Sequence, residues 1–86
     1  MNINELIAII KKKLNSNLII KHIKIEDRSY LHKNHPGNIP DKFHIKIIIK
    51  SEDLKKMSRI NSTKKIYEIL DFELKNYIHS IQILIT

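Results

Sequence analysis

Ser62-Thr63-Lys64-Lys65-Ile66-Tyr67-Glu68-Ile69-Leu70, continuing through Glu73-Leu74 to Ile78-His79-Ser80-Ile81-Gln82-Ile83, is the stretch that decides the fold of this chain. Ile66, Tyr67, Leu70 and Leu74 recur at helical spacing and predict the inner stripe of a main helix. Within a few residues the period changes. Ile81, Ile83 and Ile85 alternate with Gln82, which predicts a terminal strand. His79 stands where that strand begins. Imidazole is a metal ligand and a proton carrier near neutral pH, so a histidine at a rigid edge is a candidate functional group, with capping of a small core as the structural alternative.

Upstream, Phe43, Ile45, Ile47 and Ile49 alternate with His44, Lys46 and Lys50, the pattern of a half-buried strand. Ser51-Glu52-Asp53-Leu54 follows it as a short helical turn, with a hydroxyl cap and two acids in the first turn. Ile19, Ile23 and Ile25 predict one face of an earlier strand. Before that, Ile3, Leu6, Ile7, Ile10 and Leu14 form one stripe of a helix. Asn2 and Glu5 suit its start as a relative of the capping box, and Asn15-Ser16-Asn17 suits its end. Asp27 to Lys42 is the one long loop, holding the only glycine and both prolines, and it is expected to be the most mobile part of the chain. The order is α-β-β-α-α-β, which predicts an α+β two-layer sandwich with helices on one face of a three-stranded sheet, in a single domain over residues 1–86.

Composition narrows the function classes. Eighty-six residues make a core near the lower limit of what folds unaided. With no cysteine, this chain offers neither a disulfide framework nor a thiolate cage, and any soft metal centre must take sulfur from a partner. The apolar runs are too short for a membrane span, and Met1-Asn2-Ile3-Asn4-Glu5 does not look like a secretory signal, so the expectation is a cytoplasmic protein with no membrane association. Sixteen basic against nine acidic residues give a net charge of +7, which fits nucleic acid or an acidic partner. The heavy use of lysine alongside isoleucine and asparagine also fits a compositional bias, which halves the weight of that charge.

Enzyme chemistry is poorly served. There is no nucleophile elbow, no GxGxxG and no P-loop pattern. Asp27, Glu52, Asp53, Asp71 and Glu73 read as solvated charges and helix-dipole partners rather than general acids. His22 and His44 fall out of phase with the isoleucine faces and are expected on the solvated side of the sheet. His32 and His35 lie in the loop beside Pro36-Gly37, and two imidazoles alone do not complete a metal site. The element order resembles the type II KH arrangement, but Gly37 is the only glycine, so the GXXG clamp on a nucleic-acid backbone is absent.

Taken together the pattern resembles the BolA family. Asp27-Arg28-Ser29-Tyr30-Leu31-His32 is similar to the family's D-x-S-x-x-H segment. Phe43, the alternating apolar residues after it and Ser51 resemble the family's phenylalanine strand, and Leu54 sits where the family places the aromatic residue of its next turn. Ile66-Tyr67, Leu70, Glu73-Leu74 and Ile78-His79-Ser80-Ile81 resemble a terminal pattern that ends Ile/Val-His-Ala-Leu/Ile. The chain departs from the family in three places. Ser62-Thr63-Lys64 replaces an R-H-R segment, Lys42 stands for the histidine before the strand phenylalanine, and Lys56 for a glycine.

The resemblance implies a non-enzymatic adaptor that pairs as a heterodimer with a monothiol glutaredoxin and shares a [2Fe-2S] cluster with it. The glutaredoxin supplies its cysteine and a bound glutathione. This chain would supply His79, with His32 or His35 as the loop ligand. Replacing thiolate by neutral imidazole raises a cluster's potential, as in Rieske centres, and because the ligand must be deprotonated, binding weakens in mild acid. By itself such a protein is expected to be monomeric. The competing expectations are a DNA-binding transcriptional regulator, suggested by the charge and by some family members, and a plain interaction module in which His79 only caps the core.

Overall fold

The computed structural model describes residues 1–29 and 42–86. Helix α1 spans Ile3–Asn17, strand β1 His22–Asp27 and strand β2 Phe43–Lys50. Helices α2 (Glu52–Lys55), α3 (Arg59–Ile69) and α4 (Asp71–Asn76) lead to strand β3, Ile78–Ile85. The expected α-β-β-α-α-β order stands, with the main helix divided into α3 and α4. The division falls at Leu70, whose φ of −100° and ψ of 18° leave the helical region.

Local signals explain the boundaries. Asn2 Oδ1 accepts from the Glu5 amide at 2.8 Å, and Asn2 Nδ2 donates to Glu5 Oε1 at 3.0 Å, so the start of α1 is tied reciprocally. Ser51 caps α2 and also donates from Oγ to the Ile19 carbonyl at 2.8 Å. Ser58 Oγ accepts from the Asn61 amide at 3.1 Å and starts α3.

The sheet order is β1-β2-β3. β1 runs antiparallel to β2, and β3 runs parallel to β2, so the three helices between β2 and β3 serve as the crossover that parallel pairing requires. Leu6, Ile10 and Leu14 of α1 pack with Leu54, Ile66 and Leu70 on Ile45, Ile47 and Ile49 of the central strand. Every one of these side chains is at most 2% exposed, so the helical layer lies on one sheet face, as the alternation requires. The opposite face carries Lys24, Lys46, Gln82 and Leu84, half-buried or exposed.

Four expectations are corrected. Ile19 is 77% exposed and precedes β1; Leu18, at 7%, takes the inward place, because Asp53 Oδ2 and Ser51 Oγ hold the Ile19 peptide against the start of α2. Tyr67 is 43% exposed, because Ser62, Ile66 and Leu70 already fill the inward stripe of α3. Glu73 is buried rather than solvated: its carboxylate takes an ion pair from Lys13 at 2.7 Å, which offsets the cost of desolvation. His44 is also buried, for a reason that belongs to the site. The loop expected from Asp27 to Lys42 overlaps β1 at Asp27, and its residues 30–41, on which the expectation of mobility rests, lie outside the described residues.

Candidate metal-ligand site

His79 is the second residue of β3 and is exposed. Its placement follows from an irregularity in the ladder. Phe43 pairs with Ile78, but the next residue of β2, His44, pairs with Ser80. His79 is thus the extra residue on β3, a bulge. Bulges interrupt pairing, increase local twist and re-aim side chains. Ile78, 3% exposed, faces the core before the bulge, and Ile81 resumes that face opposite Ile45 after it.

The bulge brings two imidazoles together. The His44 and His79 rings have centroids 4.8 Å apart, tilted by 47°. His44 Nδ1 shares a hydrogen bond of 2.6 Å with Ser80 Oγ, its register partner on β3. The His44 amide donates to Ser29 Oγ at 3.1 Å, and its carbonyl accepts from the Arg28 amide at 2.6 Å. His79, Ser80 and the Arg28–Ser29 backbone therefore crowd the outer face of β2 at this end. These neighbours help enclose His44, which is 4% exposed although it sits on the face expected to be solvated. His22, at the far end of β1, is exposed as expected.

The frame around this corner is tied from several sides. The Phe43 amide donates to the Tyr77 carbonyl at 2.9 Å, and Lys42 Nζ donates to the Lys75 carbonyl at 3.3 Å, joining the start of β2 to the end of α4. Arg28 Nη2 donates to Glu26 Oε1 at 2.6 Å, and Lys24 approaches the same carboxylate at 3.4 Å. The Arg28 hydrogen bond, aided by Lys24 and outweighing partial burial, holds the Glu26 carboxyl below its ordinary range. An open depression of about 270 Å³ lies along this strand pair, lined by Arg28, His44, Lys46, Ser80 and Gln82.

Chemically the corner offers one exposed nitrogen donor braced by a buried ring. Among the described residues no three His, Cys, Asp or Glu side chains come together to hold a metal ion. Such an imidazole suits a single ligand whose companions come from elsewhere, not a cage. The other two expected ligands, His32 and His35, lie outside the described residues. Sequence reasoning missed His44, because strand alternation alone put it in solvent. The signal was present in the isoleucines: Ile78 has the opposite parity to Ile81, Ile83 and Ile85, and two core-facing runs out of phase require a bulge between them.

Three alternating strands, a helical layer on one face and a histidine at the head of the last strand define a small α+β domain of the BolA type. The chain belongs to the BolA family: the family model described as BolA-like protein matches residues 14–86. It is 30% identical over 73 residues to the DNA-binding transcriptional regulator BolA of Haemophilus influenzae, covering 85% of this chain and 68% of that relative. The BolA domain of SufE1 from Arabidopsis thaliana superposes with a TM-score of 0.79 at 27% identity, over 100% of this chain and 93% of that one. BolA1 from the same plant gives 0.78 at 27% identity, over 92% and 87%. Among the described residues no helix is long and apolar enough to cross a membrane.

Proposed function

We propose that this protein is a non-enzymatic adaptor that pairs with a monothiol glutaredoxin and contributes a histidine ligand to a [2Fe-2S] cluster held between the two proteins, in iron-sulfur cluster handling or iron sensing. The observation that carries the reading is His79, exposed at a β-bulge and packed on the buried ring of His44. A bulge interrupts the ladder and re-aims the side chain it carries, which leaves this imidazole exposed where a partner protein can reach it. When bound, the cluster supplies electron storage; this chain's residues orient a neutral nitrogen toward it. Ser29, three residues before His32 in sequence, accepts a hydrogen bond from the His44 amide. Either loop histidine would complete this chain's share. The experiment is to mix the purified protein with a cluster-loaded monothiol glutaredoxin and record visible absorption and circular dichroism. A new spectrum saturating at one protein per glutaredoxin is expected, and a spectrum unchanged at excess protein rejects the reading.

A second reading, a DNA-binding transcriptional regulator, is favoured by the name of the Haemophilus influenzae relative, a DNA-binding transcriptional regulator, and by exposed basic residues on and between α2 and α3, among them Lys55, Lys56, Arg59 and Lys64. Scattered lysine suits phosphate contacts more than base readout.

A further inference from the structure

We infer that His44 is a positioning residue for His79, pinned by Ser80 and packed against the exposed ring so that its nitrogen is presented in one direction. The inference deepens the cluster-ligand reading of His79 and rests on it. His79 has no register partner on β2, since the pairing steps from Phe43–Ile78 to His44–Ser80. The ladder therefore does not by itself fix its side chain. An exposed imidazole at such a point has several staggered rotamers open to it. The contact that selects among them is the ring of His44, 4.8 Å away between centroids.

That ring is itself held. His44 is 4% exposed, and a buried polar ring is stable only where its nitrogens find partners. Ser80 Oγ supplies one for Nδ1 at 2.6 Å. Ser80 is also the residue bonded to His79, so anchor and ligand share a peptide while the brace comes from the neighbouring strand. Ligand, brace and anchor close a loop across β2 and β3. Removing the anchor loosens the brace at Nδ1, and removing the brace takes away the ring against which the ligand packs. Partners that orient a metal-binding histidine through its surroundings affect affinity about 10- to 100-fold in known sites. Ser80 occupies the position where the terminal pattern quoted above has alanine, which offers no oxygen to hold such a brace.

The test uses the full chain with Ser80→Ala, Ser80→Thr, His44→Ala and the double variant His44→Ala/Ser80→Ala. In the free protein, three-bond couplings from NMR report the χ1 populations of His79. One rotamer is expected in the parent and in Ser80→Thr, which keeps the hydroxyl, and averaged couplings in Ser80→Ala and His44→Ala. The double variant should be no worse than His44→Ala alone, because both changes break one chain of contacts. With cluster-loaded glutaredoxin, His44→Ala should weaken formation of the mixed spectrum by about tenfold while association of the two cluster-free proteins is unchanged. Unaltered His79 couplings in both Ser80→Ala and His44→Ala would overturn the inference. If His44→Ala does not fold, Ser80→Ala against Ser80→Thr decides it. A parent that gives no mixed spectrum rejects the ligand reading instead, and the couplings still report whether His44 orients His79.

Discussion

At the level of single residues, the corner of the sheet shows how one inserted position changes the role of its neighbours. Without the bulge, His79 would fall on the ladder opposite His44 and the two rings would stand side by side on the outer face. With it, His79 remains exposed and His44 is enclosed. The position of His79 at the head of the last strand was legible, because an alternating run needs only local pattern. The burial of His44 was not legible, because it depends on the pairing step between strands that lie far apart in the chain. Glu26 yields a prediction at this scale. Its carboxyl is held below its ordinary range mainly by the Arg28 hydrogen bond, so its contribution to stability is fully present above the unfolded carboxyl pKa and is lost as the pH falls through the lower folded value. The unfolding midpoint of the parent should therefore drop toward that of Glu26→Gln on acidification from neutral pH. Denaturant melts at a series of pH values check this, and a gap that stays constant down to strongly acid pH contradicts it.

At the level of elements, alternation and helical spacing carried most of the fold. The stripe Leu6, Ile10 and Leu14 and the strand face Ile45, Ile47 and Ile49 are both in the core. The break at Leu70 was not legible, since residues on both sides continue a helical pattern and no glycine or proline marks the place. Leu70 is wholly buried at the break, so the turn keeps its apolar contact while redirecting the chain toward β3. Tyr67 and Glu73 trade expected places for the same kind of reason. Spacing gives a stripe about one face wide, and only packing decides which edge of it stays dry. Ile47 is fully buried at the centre of the sheet, and replacing it with alanine should cost about 2–5 kcal/mol through lost burial and a residual cavity. Equilibrium denaturation measures this; an unchanged midpoint would mean that β2 does not form the core.

At the level of the molecule, the two functional readings draw on different properties. The charge of +7 comes from basic residues scattered along the chain, whereas the proposed ligand site depends on one corner. DNA binding by this surface should be independent of sequence, with affinity falling steeply as salt rises, because released counterions drive phosphate contacts. Binding isotherms on unrelated duplexes at several salt concentrations test this. Sequence-selective affinity that survives at physiological salt would make regulation the primary role.

The most direct test of the account is visible circular dichroism of His79→Ala titrated into cluster-loaded monothiol glutaredoxin, beside the parent protein. His79 is exposed, so its removal leaves the core of Ile45, Ile47, Ile66 and Leu70 intact and the variant should fold. The mixed-ligand spectrum formed by the parent should be lost with His79→Ala, while the two proteins still associate. The same spectrum from parent and variant would contradict it, and His79 would then be a residue that closes the end of the sheet.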